Sequence, residues 1–500
     1  MTRRIVVIGA GGAGLVAAIA ARKAGAEVLL LSKTTCRGSA TCTAYSAGIF
    51  SLACCGLSPE DHYSTTMETG RYLNDRSLVK ILTEEAEKTL RILADWGVHI
   101  KMTKGTASVR KTAPNPIMGG AGFLEELSRI AGNEGVKTKD WTVATSLQLE
   151  KGRVTGVNVQ NWRTGKSESI GAGAVILATG GGGRIYSHTD NPDRITGDGY
   201  ALALKAGADF RDMEFVQFYP LGWDEPGFPQ WMADLGLVDH MRITDSKGED
   251  FLKKALHDWG YKSGREGNYY ARDRSARLVA EKAKAGGVFA HFEDLQKGKW
   301  QDPDFLYSLI LDTRYFKDVR HPLRMAPVEH YFCGGIEIDG CGRTKVDGLY
   351  ACGEVTGGVD GANRVGGNAL ANIVVFGYKA GRAAAWESLD VPDTDVLYEA
   401  AEFPCVADNG ERPRILRREL QEKAWAAIGP IRRGREMEKF LQYLADFRNR
   451  KIRIETPVDR LLAVEMEGLV TTAEEVAKAA LKRKESLGTH WRADGKETVQ

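Results

Sequence analysis

Five hundred residues, of which 43% are hydrophobic and 27% charged, describe a folded globular chain too long for one simple core, so two or three domains are expected and wholesale disorder is excluded. The 68 basic and 66 acidic side chains nearly cancel, which leaves no net field to select nucleic acid or an anionic membrane as a partner. No apolar run of about 18 residues appears and no charged n-region with an apolar h-region opens the sequence, so a cytoplasmic protein without direct membrane insertion is expected.

In chain order, IVVIGAGGAG (5–14) reads as a buried parallel strand turning into the alanine-rich helix LVAAIAARKAG. Gly9, Gly11 and Gly14 match G-x-G-x-x-G, with Gly12 and Ala13 inside the turn. Gly9 allows the tight turn, Gly11 a close approach of pyrophosphate to the backbone, and Gly14 the packing of helix on strand. A second strand follows in AEVLLLSK, where the acidic residue that usually holds an adenosine ribose is replaced by Ser32 and Lys33; a serine hydroxyl can still bond the ribose. Residues 36–58 are small, polar and glycine-containing, and are expected as a loop over a cofactor. Two amphipathic helices are expected near 75–96 and 120–134. The stretch 154–183 reads as a hairpin and a buried strand ending in Thr179 and a glycine run from Gly180.

TGDGYALALKAGA (196–208) is expected to open a helix with Asp198 as its cap and as a ligand for the adenosine half of a dinucleotide. Residues 226–320, rich in Trp, Lys and Asp, read as an inserted domain. GLYACGEVTGG (348–358) restores the strand-and-glycine pattern, and from 412 the chain is helical in period, with RPRILRREL (412–420) expected as solvated helix faces. The eight cysteines, at 36, 42, 54, 55, 333, 341, 352 and 405, show no C-x-x-C spacing, so no metal or iron–sulfur site is expected in this chain and most are read as buried thiols.

Taken together, GAGGAG, ATGGGG (178–183), TGDG (196–199), MEFVQF (213–218), ARD (271–273), HYFCGGIEID (330–339) and GLYACGEVTGGVDGANRVGGNAL (348–370) resemble, in order, the fumarate reductase/succinate dehydrogenase flavoprotein family, which includes aspartate oxidase. The likeness spans 1–385, and ELQEKAWAAIGPIRR and ALKRKESLGTHWR resemble that family's C-terminal region. It implies an α/β fold: a Rossmann-like FAD-binding domain in two parts (1–225 and 321–390), an inserted α+β capping domain (226–320) and a C-terminal helical domain (410–500). The glycine turn would carry the FAD pyrophosphate, Ser32 and Lys33 the ribose region, Asp198 the AMP half and Glu354 the ribityl chain. Asn368, Ala369 and Leu370, at the start of a helix aimed at the flavin's pyrimidine edge, would approach the isoalloxazine ring.

The resemblance also assigns chemistry: hydride transfer at flavin N5 to or from a carbon next to a carboxylate or carbonyl. Arg272 matches the arginine that moves the proton, with Asp273 beside it and Arg277 one turn on, whereas His330 and Arg364 match ligands of a substrate carboxylate. Without that context Arg272 reads as a surface ion pair and His330 as a hydrogen-bonded core residue. The departures matter equally. Ser39-Ala40-Thr41 stands where respiratory members carry Ser-His-Thr, so FAD is expected to be non-covalent. Tyr219 replaces the histidine of QFHP, and a short stretch (235–251) replaces the Thr-Glu loop, so half of a dicarboxylate site is expected to be rewritten; His240 could fill one role or be a solvated loop residue. The expected ligand is a small-molecule acid, and a further expected partner is an iron–sulfur electron-transfer subunit. The rival reading is an electron-transfer flavoprotein like that of adenylylsulfate reductase, working inside an iron–sulfur complex.

Overall fold

The computed structural model describes residues 4–36, 40–109, 119–295, 297–388, 395–397 and 406–497. Ser39 and Cys405, named above, lie outside them. Five strands form an all-parallel sheet in the order Leu349–Ala351, Ala174–Leu177, Arg4–Ile8, Glu27–Leu31, Lys137–Lys139. In the four strands other than the exposed edge strand Lys137–Lys139, runs of Val, Ile, Leu and Ala are buried on both faces, as a sheet covered by crossover helices requires. The helix Gly12–Lys23 crosses the helix Asn368–Glu387 closely. Glycine permits this: a Cβ on Gly377 would meet the Ala13 carbonyl oxygen at 2.8 Å, and one on Gly381 would overlap that of Ala17.

The two amphipathic helices appear at Arg76–Asp95 and Gly119–Asn133, the first capped by Asp75, whose side chain accepts from the backbone of Ser77 and Leu78. The expected hairpin is Arg153–Asn161 with Ser167–Gly171, which the strand Thr142–Glu150 joins on its other side. Three expectations change. The stretch 36–58 is not wholly loop, because Thr41 caps a one-turn helix, Cys42–Tyr45, by accepting from Ala44 N, and Ile49–Ser51 pairs antiparallel with Thr106–Val109. Asp198 is the first residue of the helix Asp198–Ala206, not its cap; that place is taken by Gly197 at φ +77°. Finally, the 412–420 face is only partly solvated, since Arg417 is buried and donates to the Asp193 carbonyl at 2.9 Å.

A four-stranded antiparallel sheet, ordered Val216–Trp223, Leu323–Phe332, Val288–Ala290, Ile243–Asp245, packs with the helices of the inserted region around a second core that runs from Leu221 to Met325. The long strands Val216–Trp223 and Leu323–Phe332 therefore carry both units. Three helices, Pro413–Ile428, Gly434–Phe447 and Pro457–Lys482, follow. The last begins in a capping box between Thr456 and Asp459 and lies against the Asp198–Ala206 helix. Seven cysteines are described and all are free; Cys36, Cys54, Cys333 and Cys352 are buried. No helix is long and apolar enough to cross a membrane among the described residues.

Candidate active site

At the carboxyl ends of the parallel strands, where ligands of open α/β sheets bind, lies a cleft of about 900 Å³. Gly9, at φ +111°, makes its turn so tightly that a Cβ there would overlap the Ala178 carbonyl, and a Cβ on Gly14 would overlap the Gly9 carbonyl. At Gly11 the same atom would meet nothing nearer than 3.9 Å, so bare backbone at this point leaves room for a close phosphate. Gly12, Ala13, Ala40, Thr41, Thr179, Gly180 and Glu354 also line the cleft. Thr179 Oγ1 is buried without a partner. Glu354 accepts from Phe332 N at 3.1 Å, and burial pushes its carboxyl up to about 7, a suitable condition for exchanging hydrogen bonds with a hydroxyl chain. These residues fit an FAD.

At the far end of the cleft, Ser32 Oγ accepts from Thr34 N at 3.1 Å. Lys33 lines the cleft, and its ammonium donates to Thr196 Oγ1 at 2.8 Å and Glu465 Oε1 at 2.9 Å and forms an ion pair with Asp198 Oδ2 at 2.7 Å, so it also holds Asp198 in place. Asn368 is likewise occupied: its Oδ1 lies 2.9 Å from His62 Nε2 and its Nδ2 donates to Thr66 Oγ1 at 3.1 Å. What its helix offers a ring is the uncapped first turn of Asn368, Ala369 and Leu370, preceded by Gly367 at φ +87°. Ile373, one turn on, lines the cleft.

A second set of polar groups is built where the antiparallel sheet meets the inserted region. Two short helices, Gly264–Tyr270 and Arg272–Lys284, join at Ala271, and Arg272 Nε donates to Asn268 Oδ1 at 3.1 Å. The Asn268 amide also accepts from the Tyr219 hydroxyl at 2.6 Å and donates to Asp234 Oδ2 at 2.9 Å. The Tyr219 proton is thereby engaged by Asn268, with Asp234 Oδ2 a second acceptor at 3.3 Å. It is the ring of Tyr219 that faces the other site groups, lying 4.9 Å from the Arg272 guanidinium and edge-on 5.4 Å from His330. Arg272 is buried, and that burial holds its guanidinium below the usual range, with Arg364 pushing the same way. Arg364 donates to Gln217 Oε1 at 3.1 Å and lies 4.1 Å from the ring of Tyr331, while its buried Nε has no partner. His330 Nδ1 pairs with Asp190 Oδ2 at 2.8 Å.

Other expected residues go elsewhere. Asp273 pairs with Arg71 at 3.3 Å, Arg277 stacks 3.9 Å from Trp491, and His240 belongs to a cluster inside the inserted region with Lys299 at 3.1 Å and Phe305. Sequence reading missed Asp234, Asn268, Asp190 and Glu465. Of these only Asn268 carried a signal, four residues before Arg272 and so one helical turn away.

The FAD binding domain family matches residues 4–370, and the Fumarate reductase flavoprotein C-term family matches 417–499. One subunit of the fumarate reductase (CoM/CoB) of Methanothermobacter marburgensis is 32% identical, with 99% of this chain and 94% of the relative covered. The L-aspartate oxidase of Streptomyces coelicolor is 29% identical, covering 98% of this chain and 88% of the relative. Among solved structures, Mycobacterium smegmatis Sdh1 in complex with UQ1 superposes with a TM-score of 0.83 at 29% identity, over 100% of this chain and 90% of that one.

Proposed function

Because the chain belongs to the FAD-binding flavoprotein family of fumarate reductases and aspartate oxidases and is an FAD-dependent oxidoreductase, we propose that it transfers hydride to or from a carbon–carbon bond next to a carboxylate or another electron-withdrawing group. Bound FAD supplies the hydride donor or acceptor. The observation that carries this reading is the pair of buried guanidiniums of Arg272 and Arg364, the former 4.9 Å from the Tyr219 ring that lies 5.4 Å from His330. Two buried cations favour an anionic group between them, and a guanidinium can clamp a carboxylate bidentately.

In this reading Arg364, fixed by Gln217 and Tyr331, holds the acid, and Arg272 delivers or removes the proton at the reacting carbon. An arginine at its ordinary pKa is a poor acid, but burial and the second guanidinium both lower the cost of its losing a proton. Asn268 accepts from Arg272 Nε and donates to the buried Asp234, so it fixes the guanidinium in place against the inserted region. The same reading keeps FAD non-covalent at Ala40. It divides the chain into an FAD-binding domain (1–225 and 321–390), a cap (226–320) and a helical domain (410–500). Electrons, in this reading, are exchanged with an iron–sulfur partner, which is supported by relatives that are themselves named as subunits.

The test is an anaerobic photoreduction of the flavin-loaded protein followed by a screen of unsaturated acids and carbonyl-conjugated acceptors, watched at the flavin band. Rapid reoxidation by at least one such acid, lost in Arg364→Ala, is expected. Reoxidation only by one-electron dyes would remove the carbon–carbon chemistry.

A further inference from the structure

His330 and Asp190 lie 140 positions apart, and their pairing decides what the site asks of a ligand beyond its carboxylate. Asp190 Oδ2 lies 2.8 Å from His330 Nδ1, and Asn191 Nδ2 donates to Asp190 Oδ1 and to the His330 carbonyl, both at 3.3 Å. A carboxylate accepts hydrogen bonds, so the proton between Asp190 and His330 is carried on Nδ1. On the other side of the ring, Nε2 meets no hydrogen-bonding protein atom among the described residues. Burial lowers the imidazole's affinity for a second proton, and Arg364 and Arg272 act in the same direction against the pull of Asp190. The ring is therefore neutral, with a lone pair on Nε2, and cannot donate to a carboxylate as the family likeness implied.

We propose that Asp190 is a positioning residue that locks His330 in the Nδ1–H tautomer, so that the site takes an acid carrying a hydroxyl or amine N–H donor close to the carboxylate held by the guanidiniums. This rests on the proposed placement of an acid between Arg272 and Arg364. Its consequence is selectivity by hydrogen count: an acid without the donor leaves the Nε2 lone pair unmatched by the ligand, and a site built to receive such a proton disfavours the analogue that lacks it.

Calorimetric titration of the oxidised, flavin-loaded protein with two pairs of acids, malate against succinate and mandelate against phenylacetate, isolates the effect because each pair differs by one hydroxyl. The hydroxylated member, in at least one enantiomer, is expected to bind about tenfold tighter or more. In Asp190→Asn the Asn191 amide still requires an acceptor at the Oδ1 position, so the new carboxamide oxygen stays there and its NH2 turns to Nδ1. That forces the proton onto Nε2, and the preference should reverse toward succinate and phenylacetate; Asp190→Glu should keep the original order. Equal affinities within each pair in the unmodified protein, or an unchanged preference in Asp190→Asn with a native flavin spectrum, would overturn the tautomer assignment while leaving the acid site standing. Failure of all four acids to bind would overturn the acid site and this inference with it.

Discussion

Glu354 lends itself to a quantitative test. Its carboxyl is buried at the wall of the cofactor cleft, and burial raises it from 4.5 to about 7 in the folded chain. For an acid whose folded pKa is raised, the protonated form is favoured by folding, so the associated stability is fully present below the unfolded value of 4.5 and is lost as pH rises through 7. Between pH 5 and pH 8 this one group should therefore cost the flavin-free protein on the order of 2–3 kcal/mol, given about 1.36 kcal/mol per unit. Glu354→Gln removes the titration while keeping an oxygen for the Phe332 N–H. Urea unfolding of the two flavin-free proteins at pH 5, 6, 7 and 8 is the assay. The stability difference between wild type and variant should swing by on the order of 2–3 kcal/mol across that range, in the variant's favour at the alkaline end. Parallel pH profiles would refute the argument, because they would mean that the carboxyl titrates alike in the folded and unfolded chains.

Four further outcomes are expected. Acid precipitation of the yellow protein should leave the flavin in the supernatant, since Ala40 offers no attachment atom; colour retained in the pellet would show another link. Arg272→Ala should keep FAD and reduction by dithionite yet lose most turnover, a barrier increase on the order of 4 kcal/mol, with Arg272→Lys less affected; full activity in steady-state assays would end its role as proton carrier. Fumarate and succinate should turn over poorly next to the best acceptor in the screen, because Tyr219 spends its proton on Asn268 and the nearest carboxylate, Asp234, repels a second acid group; efficient fumarate reduction would contradict this. Gly14→Ala should abolish flavin binding in absorbance measurements of the purified protein, because the new methyl would overlap the Gly9 carbonyl that shapes the turn.

The glycine cradle was legible because its spacing is a short, local pattern, with the Gly14 position set by the Gly9 carbonyl, even though the atom that Gly9 itself must clear, the Ala178 carbonyl, comes from a distant stretch of chain; the buried strands around Ile5, Val175 and Leu349 were legible from their own apolar runs. What could not be read is what depends on pairs distant in sequence. The amide of Asn268 ties Arg272 to Tyr219 and Asp234, 49 and 34 positions away, and no spacing announces such a contact. Lys33 was readable as a cleft residue from its place just after the second strand, whereas its protein partners, from the 196–198 turn and from a helix 432 residues later, were not. Tyr219 stands out in the sequence as a departure, but the direction of its hydroxyl is set by a neighbour outside every motif. Thr41 is the miss that sequence could have prevented, since a threonine three places before Ala44 is an ordinary start for a helical turn.

The buried carboxylate of Glu465 gathers Lys33, Arg194 and, at 3.6 Å, Arg417, three cations from three separate stretches of chain. Thr472, one helical face further on, meets Gly182 and Gly197 so closely that neither could carry a side chain. The floor beneath this end of the cleft is thus supplied by a helix that follows, in the chain, the residues lining it. A nascent chain that has already completed its glycine turn and its parallel strands still holds Lys33, Arg194 and Asp198 without the carboxylate that arranges them. Cofactor loading accordingly waits for the 457–482 helix, and lesions in it will present as poor flavin occupancy in a protein whose nucleotide fingerprint is intact.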